Sequence, residues 1–399
     1  MGKTILVIGA GFAGMWAALA AERLNDRESG GIEVVLVAPE STLVIRPRLY
    51  EAGAANMTAP LGPLFAATGI RFIQGHVETI RHVDNTVDIV RLDGTRSAIV
   101  YDSLILAAGS QAHRPDIPGL REYGFNVDRI DEAVALEAHC HSLAQRPASV
   151  ARDTVVVAGG GFTGIEIAAE MPARLRAILG TAASPRTIVV EQAPEIGPDL
   201  GPGPRPVILQ ALSDLGVACR LGVSVTAMSA DRVVLSDGET IETQTAIWTA
   251  GVRASPLTAQ IPGERGRLGR LCVGPDLRAS PGANIFAAGD TASAVTDDAG
   301  HRTLMSCQHA LQLGRFAGHN AAAALLGLPP LPYRQQRYVT GLDLGPWGAV
   351  HTDGWDRRVV LTGAESKVRK EYVNRILIYP PPPDRATALA AAEPVSAQA

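Results

Sequence analysis

The stretch Thr4–Gly14, TILVIGAGFAG, decides the fold, because a glycine-rich turn there joins an apolar strand to an alanine-rich helix. A second stretch, Thr154–Gly164, TVVVAGGGFTG, repeats this arrangement in the middle of the chain. In such turns the first glycine lets the chain fold back, the second lets the backbone approach a pyrophosphate, and the third lets the helix pack on the strand. The residues predicted to contact the two dinucleotides are Gly9, Gly11, Phe12, Ala13 and Gly14 in the first unit, and Gly159, Gly161 and Gly164 in the second.

Two dinucleotides held side by side indicate a flavin and a nicotinamide that exchange a hydride. We therefore expect FAD in the first unit and NADH in the second. The predicted fold class is α/β, with two Rossmann-type domains. No protein nucleophile is needed, because the flavin carries out the chemistry.

The composition fits a globular protein of two or three domains, with 399 residues of which 46% are hydrophobic. A net charge of −4 and a pI near 6.2 do not indicate nucleic acid or an anionic membrane as a partner. The first strand begins at Lys3, so we expect no signal peptide, and no apolar run reaches the roughly 18 residues of a membrane helix. These observations predict a cytoplasmic protein.

The cysteines and histidines do not indicate a further redox or metal centre. Cys140, Cys219, Cys272 and Cys307 form neither a C-x-x-C nor a C-x4-C pair, which flavin disulfide reductases carry beside the flavin. We expect them to be buried thiols. The nine histidines show no metal-binding spacing, so we predict no metal site.

The residue that closes the second strand of each unit is expected to contact the ribose. In the second unit it is Glu191, whose carboxylate would accept hydrogen bonds from both ribose hydroxyls and repel a 2′-phosphate, so NADH is favoured over NADPH. The alternative is a solvated glutamate at a strand end. In the first unit this position is Ala38, and Glu40 two residues later could reach the ribose, although Pro39 restricts the backbone.

The segment Ala287–Asp290 follows an apolar strand and predicts a second contact to the flavin. Asp290 would accept a hydrogen bond from the ribityl chain, and Gly289 would permit the close approach. A helix is predicted to begin near Ser306, with its positive end toward the pyrimidine edge of the flavin, where it would stabilise the anionic reduced form.

Three side chains are candidates for contacts to the reacting groups. Glu166 lies on the first turn of the second unit's helix, where it would face the nicotinamide or serve only as a partner of the helix dipole. Gln308 and Gln312 are four residues apart and share one helix face. Their amides suit the carbonyl oxygens of a quinone, and the alternative is a pair of surface glutamines.

Five motifs occur in the order seen in type II NADH dehydrogenases, namely GAGFAG (9–14), RPRLY (46–50), GGGFTGIE (159–166), WTAGVR (248–253) and AAGD (287–290). The sequence resembles this family over about residues 3–326. The segment CQHALQ (307–312) is similar to the family's Ala-Gln-x-Ala-x-Gln quinone-site motif. The family consists of single-chain, non-pumping NADH:quinone oxidoreductases.

The resemblance implies that the nicotinamide domain is inserted into the flavin domain and that a short C-terminal α+β segment follows. We place the first part of the FAD domain at 1–117, the NADH domain at 118–252, the second part of the FAD domain at 253–330, and the C-terminal segment at 331–399. It also implies that Glu166 lies on the nicotinamide side and the two glutamines on the quinone side. The remaining predicted cofactor contacts are Arg46, Pro47, Val77, Ala108, Gly109, Ala250 and Gly251.

The sequence departs from the family pattern at several points. Ala38 replaces the usual ribose acid, Arg46 and Arg48 replace neutral residues, and Cys307 replaces alanine. The two C-terminal amphipathic membrane helices are not evident, because the predicted helix 367–376 has few large apolar residues. We therefore expect membrane contact to be peripheral at most; a homodimer is left open.

Pro172 and the run of four prolines at 380–383 mark further expectations about the helices. Pro172 is predicted to kink or end the helix of the second unit near Met171. Pro380–Pro383 is predicted to stop the C-terminal helix and to leave a loose, alanine-rich tail.

The sequence thus predicts an FAD-dependent NADH oxidoreductase that passes two electrons to a quinone-like or other small acceptor. One alternative is a reductase that feeds electrons to a ferredoxin-type protein, for which a basic docking face would be required. A sulfide:quinone oxidoreductase would need cysteines that meet at the flavin, and only Cys307 is suitably placed. A third alternative is a redox-sensing protein that binds both nucleotides with little turnover.

Overall fold

The computed structural model describes residues 2–180 and 183–394, which build two parallel β-sheets with helices packed on them. The α-helices are α1 (Phe12–Glu28), α2 (Gly62–Thr68), α3 (Leu120–Tyr123), α4 (Ile130–Ser142), α5 (Val150–Asp153), α6 (Phe162–Leu179), α7 (Arg205–Asp214), α8 (Cys307–Leu326), α9 (Gly363–Tyr372) and α10 (Arg385–Ala391). The strands are β1 (Thr4–Ile8), β2 (Glu33–Ala38), β3 (Thr42–Val44), β4 (Thr58–Pro60), β5 (Arg71–Gln74), β6 (His76–Arg81), β7 (Thr86–Val90), β8 (Arg96–Val100), β9 (Ser103–Leu106), β10 (Ser110–Ala112), β11 (Gly124–Phe125), β12 (Thr154–Ala158), β13 (Arg186–Glu191), β14 (Val217–Leu221), β15 (Val225–Met228), β16 (Arg232–Leu235), β17 (Thr240–Glu242), β18 (Thr245–Trp248), β19 (Val252–Ala254), β20 (Leu271–Cys272), β21 (Ile285–Ala287), β22 (Ala292–Ser293), β23 (Val339–Asp343), β24 (Ala349–Asp353) and β25 (Arg358–Thr362).

The two large sheets have matching topologies. The first has the strand order β21-β9-β1-β2-β5 and the second the order β11-β18-β12-β13-β14, with all neighbours parallel. Parallel neighbours joined through a helix form the βαβ unit of a Rossmann-type domain. The predicted fold class is therefore confirmed.

In chain order, the strands of the second sheet are inserted between the strands of the first. Strands β1 to β9 of the first sheet precede every strand of the second in the chain, and β21 returns to pair with β9 after the second sheet is complete. The two connections run side by side, because β10 pairs antiparallel with β19. This order confirms the predicted insertion.

Helix α8 packs closely on α1 through two glycines. A side chain at Gly314 would place its Cβ 2.4 Å from the carbonyl oxygen of Ala13, and one at Gly318 would lie 2.0 Å from that of Ala17. Neither distance leaves room for a methyl group, so the two helices approach each other at their backbones. The start of α8 is thereby fixed next to the first glycine turn.

The helix α6 runs through Pro172 to Leu179, so the alternative that Pro172 ends this helix near Met171 is wrong, while the alternative of a kink there stays a prediction. Proline removes one backbone hydrogen bond from a helix interior. Here Met171 and Pro172 are buried against the rest of the domain, and this packing holds the helix together.

The expected loose tail is also corrected. After the four prolines the chain forms α10, which Asp384 caps by accepting a hydrogen bond from the backbone N–H of Thr387 at 2.8 Å. Arg385 donates to Glu22 and Asp26 of α1, and Ala388 is buried. Small side chains let this short helix lie close to α1. Residues 395–399 of the tail lie outside the described part of the chain.

Candidate active site

The first glycine turn closes because two of its residues have no side chain. Gly9 has a φ of +105°, and a Cβ at Gly14 would lie 1.8 Å from the carbonyl oxygen of Gly9. Gly11 differs, because a Cβ there would meet no protein atom within 4 Å. This open position, at the N-terminus of α1, fits the approach of a pyrophosphate. Phe12 and Ala13 begin the helix behind it.

The second turn repeats this geometry. Gly159 has a φ of +111°, a Cβ at Gly164 would lie 1.8 Å from the carbonyl oxygen of Gly159, and a Cβ at Gly161 would meet nothing within 4 Å. The N-terminus of α6 therefore offers a second pyrophosphate site. In both units the first and third glycines are required by the turn, and the central glycine is open to a ligand.

The two units differ at the predicted ribose position. Ala38 and Glu191 are structurally equivalent, because each is the last residue of its strand. In both strands the residue before it pairs with the last residue of the central strand, β1 or β12. Glu191 accepts hydrogen bonds from the backbone N–H groups of Gly160 at 2.6 Å and Ala193 at 2.8 Å. A carboxylate has about four acceptor positions, so two remain for ribose hydroxyls. Ala38 offers none.

Glu40 and Val77 lie near the end of β2, beside Ala38. Glu40 is exposed after Pro39, whose carbonyl oxygen accepts a hydrogen bond from the Gln74 side chain at 2.9 Å. Val77 lies in β6, two residues after Gly75, whose N–H donates to the Ala38 carbonyl oxygen at 3.0 Å. Both therefore border the predicted flavin site.

Asp290 is held next to the first glycine turn. A Cβ at Gly289 would lie 2.8 Å from that of Ala13, so this backbone approaches α1 closely. The hydroxyl of Ser110 donates to Asp290 at 2.6 Å, and the Arg46 guanidinium lies 3.6 Å from the same carboxylate. One oxygen of Asp290 thus has protein partners, and the other has no protein hydrogen bond among the described residues.

Arg46 joins the two domains as well as lying near the flavin position. Besides Asp290, it forms an ion pair with Asp128, whose carboxylate also accepts from the Ala112 N–H at 2.8 Å. Pro47 follows in a short 3₁₀ turn, and Arg48 instead contacts Glu51 and the hydroxyl of Tyr379. The second arginine of this loop thus contacts the C-terminal segment.

The domain crossings carry the remaining predicted cofactor contacts. Gly109 and Gly251 have φ values of +67° and +88°, and they directly precede β10 and β19. Ala108 and Ala250 stand immediately before these glycines and are half-buried. A Cβ at Gly159 would lie 2.9 Å from the Ala250 backbone nitrogen, so the second crossing touches the second glycine turn.

Glu166 is buried and paired with a residue from the C-terminal segment. Its carboxylate accepts from the Lys370 ammonium at 2.8 Å and from the Asp343 backbone N–H at 3.1 Å. Burial raises the pKa of Glu166 to about 7, and the Lys370 charge opposes this rise. The Lys370 ammonium also lies 5.5 Å from the centre of the Phe162 ring, at the start of α6.

A second set of polar contacts surrounds Asp343. Its carboxylate accepts from the hydroxyl of Tyr50 at 2.9 Å and from the ammonium of Lys367 at 2.6 Å. Sequence reasoning missed Lys370, Asp343 and Lys367. Asp343 and Lys370 lie 177 and 204 residues from Glu166 along the chain, and Lys367 is linked to Glu166 only through its contact with Asp343. The one available signal was the presence of two lysines, Lys367 and Lys370, on the predicted C-terminal helix.

The two glutamines lie in the first turns of α8, as predicted. Ser306 caps this helix by accepting from the His309 N–H at 3.4 Å. The side-chain oxygen of Gln312 is buried and has no hydrogen-bond partner among the described residues. Cys307 begins the helix as a free thiol, and burial raises its pKa. A buried polar atom without a partner suits a ligand that donates a hydrogen bond.

The outer face of α9 and of the following turn carries exposed apolar side chains, although few large apolar residues were expected in this segment. Val368, Tyr372 and Ile376 follow one another at about one helical turn and are 68%, 54% and 60% exposed, and Leu377 next to them is 55% exposed. We call these four residues the apolar stripe. The exposed Arg369 and Arg375 flank it. Among the described residues, no helix is long and apolar enough to cross a membrane.

Comparison with known proteins decides the family. The family model described as pyridine nucleotide-disulphide oxidoreductase matches residues 3–314. The chain belongs to this family. It is 45% identical over 396 residues to an NADH dehydrogenase-like protein of Mycobacterium tuberculosis, with 98% of each chain covered. It is 30% identical to a demethylphylloquinone reductase of Synechocystis, covering 87% of this chain and 85% of the relative.

A solved structure of NDH2 from Plasmodium falciparum in complex with NADH shares the fold of this oxidoreductase, with a TM-score of 0.77 over 98% of both chains at 14% identity. The family membership confirms the predicted enzyme class, an NADH-dependent oxidoreductase whose cofactors are FAD and NADH. The residues of both glycine turns fit these two cofactors, because each turn leaves its central position open.

Gly11→Ala and Gly161→Ala are expected to weaken binding of one cofactor each. Both positions have ordinary negative φ values of −72° and −78°, and neither methyl group would meet protein, so the fold should persist. The methyl groups would enter the spaces open to pyrophosphate. We expect Gly11→Ala to raise the Kd for FAD, and Gly161→Ala to raise the KM for NADH, by roughly tenfold, equivalent to ~1.4 kcal/mol.

Each variant is the control for the other. FAD affinity is measured by titration of the apoprotein and the KM by steady-state NADH oxidation. A Gly11→Ala protein with unchanged FAD affinity, or a Gly161→Ala protein that loses FAD rather than NADH, would contradict this assignment.

Proposed function

We propose that this oxidoreductase passes the electrons of NADH, through FAD, to a quinone-like acceptor. The observation that carries the proposal is the buried side-chain oxygen of Gln312, which has no partner among the described residues, one turn from Gln308 in the first turns of α8. A primary amide both donates and accepts hydrogen bonds. The N–H group of the amide would donate to a quinone carbonyl, and the side-chain oxygen, which is the unpaired atom, would accept from the hydroxyl of the quinol product.

When bound, FAD supplies the hydride acceptor. On the nicotinamide side, Gly161 and Glu191 would hold NADH, and the Glu166 carboxylate would favour a positively charged nicotinamide ring. Glu166 is buried, so this electrostatic effect is less screened than it would be in water. Lys370 holds the carboxylate in place through the 2.8 Å hydrogen bond.

The position of the apolar stripe supports an acceptor that is dissolved in a lipid bilayer. The stripe lies on the outer side of α9 and the following turn, and Lys370 on the inner side of the same helix contacts Glu166. An exposed apolar face flanked by arginines is typical of helices that lie on an anionic lipid surface. We infer peripheral docking there, from the cytoplasmic side, because NADH is a charged dinucleotide of that compartment. A quinone acceptor is also consistent with the name of the 30% identical relative from Synechocystis, a demethylphylloquinone reductase.

Glu166→Gln is expected to leave FAD bound and to slow flavin reduction by NADH by roughly tenfold, equivalent to ~1.4 kcal/mol of lost charge stabilisation. The pKa of Glu166 is raised to about 7, so the charged form appears as the pH rises through that value. Flavin reduction should therefore accelerate between about pH 6 and pH 8 in the native protein and stay flat in the variant.

The measurement is stopped-flow reduction of the flavin at several pH values. Glu170→Gln, one turn further along α6, is the matched control, because Glu170 pairs with Lys367 at 3.7 Å instead of Lys370. Equal reduction rates in native protein and Glu166→Gln at every pH would show that Glu166 has only a structural role.

Gln308→Leu and Gln312→Leu are expected to slow reoxidation of the flavin by a quinone and to spare its reduction by NADH. Loss of one neutral hydrogen bond of ~1 kcal/mol corresponds to a roughly fivefold effect. The two half-reactions are followed separately by stopped-flow spectroscopy. Gln210→Leu on the surface helix α7 is the control, since Gln210 bonds only Asp214 among the described residues. Normal reoxidation of both variants by every quinone tested would remove the glutamines from the acceptor site.

Val368→Glu and Ile376→Glu are expected to weaken binding to anionic vesicles, because each places a charge in the apolar stripe. Reoxidation by a long-chain quinone in vesicles should fall, while reoxidation by a short-chain, water-soluble quinone should not change. Val83→Glu is the matched control, since Val83 is 82% exposed in the turn after β6. Vesicle binding of the native protein no stronger than that of Val368→Glu would show that the stripe does not dock on lipid.

A further inference from the structure

Arg270 joins the two ends of the segment that connects Asp290 to α8. After Asp290 the chain forms β22 and then a hairpin in which Val295 pairs with Arg302 and the Thr303 N–H donates to the Ala294 carbonyl at 2.9 Å. The guanidinium of Arg270 donates to the carbonyl oxygens of Ala292 and Thr303 and to the Thr303 hydroxyl at 3.1 Å. It therefore ties the start of the segment to its end.

The charge of Arg270 is buried without a direct ion pair among the described residues. The residue is 7% exposed, and the oxygens that it contacts belong to carbonyl and hydroxyl groups. Within residues 2–180 and 183–394, no carboxylate pairs with it, and its Nε–H has no hydrogen-bond partner. Burial lowers its pKa, and the nearby Asp290 opposes this effect. A buried guanidinium without a direct ion pair is costly, so its charge would favour a neighbouring group that gains negative charge.

The position of Arg270 indicates which group its charge would act on. The segment that it ties begins at Asp290, the predicted ribityl contact, and ends at Ser306, the cap of α8, whose N-terminus is predicted to face the flavin. Asp290 itself already has Ser110 and Arg46 as partners. The flavin is the cofactor between these elements, and it gains negative charge when it is reduced.

We propose that Arg270 is a positioning residue for the flavin. Its hydrogen bonds fix the spacing between Asp290 and the start of α8, and its positive charge favours the reduced, anionic flavin over the oxidised one. The charge adds to the field of the α8 N-terminus, which has the same sign. This proposal depends on FAD as the cofactor and is independent of the identity of the electron acceptor.

Arg270→Gln and Arg270→Lys separate the charge from the hydrogen bonds. The glutamine variant keeps a hydrogen-bond donor and loses the charge, whereas the lysine variant keeps the charge and loses the forked geometry. Arg265→Gln is the matched control, because Arg265 also donates to backbone carbonyls, those of Thr258, Ala259 and Ile261, but is exposed.

The flavin midpoint potential is measured by equilibration with a reference dye, together with the Kd for FAD and the thermal stability of the apoprotein. For Arg270→Gln we expect the potential to become more negative, so that affinity for reduced relative to oxidised flavin falls by roughly tenfold, as expected for one charge interaction across protein interior. Arg270→Lys should keep most of the native potential, and Arg265→Gln all of it.

A native potential in Arg270→Gln would overturn the proposal, and so would an equal shift in Arg270→Lys, because the charge would then not matter. If Arg270→Gln binds no FAD, the test depends on Arg270→Lys alone. A native midpoint potential with weaker FAD binding in that variant would support the proposal. A midpoint potential equal to that of free flavin would refute it. A loss of apoprotein stability without a change in potential in either variant would show a purely structural role.

Discussion

Both nucleotide sites depend on the absence of a side chain at the third glycine of each turn. At Gly14 and Gly164, a Cβ would lie 1.8 Å from the carbonyl oxygen of the first glycine, a distance that no relaxation of one side chain can relieve, because the clash is with backbone. The close contact lets α1 and α6 begin directly above the strand ends. The helix N-termini then point their free N–H groups at the space beside the central glycine, where we expect a pyrophosphate to bind.

The same principle of close backbone approach extends to α8. Gly314 and Gly318 allow this helix to lie on α1, and Gly289 allows the Asp290 turn to lie against Ala13. The elements assigned to the flavin are therefore fixed relative to one another by backbone contacts rather than by flexible side chains. Arg270 adds a polar restraint to this arrangement, since it joins Ala292 to Thr303 across the base of the hairpin.

The C-terminal segment contacts Glu166, the proposed nicotinamide-side residue, through charge. Glu166 and Lys370 have side chains that are 5% and 8% exposed, and removing one member of such a pair typically costs about 3–5 kcal/mol, because the other charge stays buried and unpaired. Helix α9 thus has an inner side bound to the NADH domain and an outer side that carries the apolar stripe. One short helix connects the hydride site with the surface on which we propose that a lipid acceptor arrives.

The sequence by itself determined the fold class and the two cofactors, because these depend on local rules, whereas the domain insertion was expected from the resemblance to the family. A strand, three spaced glycines and a helix are contiguous in the chain, and their geometry follows from sterics within about ten residues. The equivalence of Ala38 and Glu191 could be predicted from the sequence for the same reason. Only the tertiary structure decided which partners Glu166 has, which side of α9 is exposed and why Arg270 is buried, because these depend on contacts between residues far apart in the chain. The helical tail and the continuous helix through Pro172 belong to this second group, since burial against neighbouring elements outweighed the local preference of proline and of a low-complexity sequence.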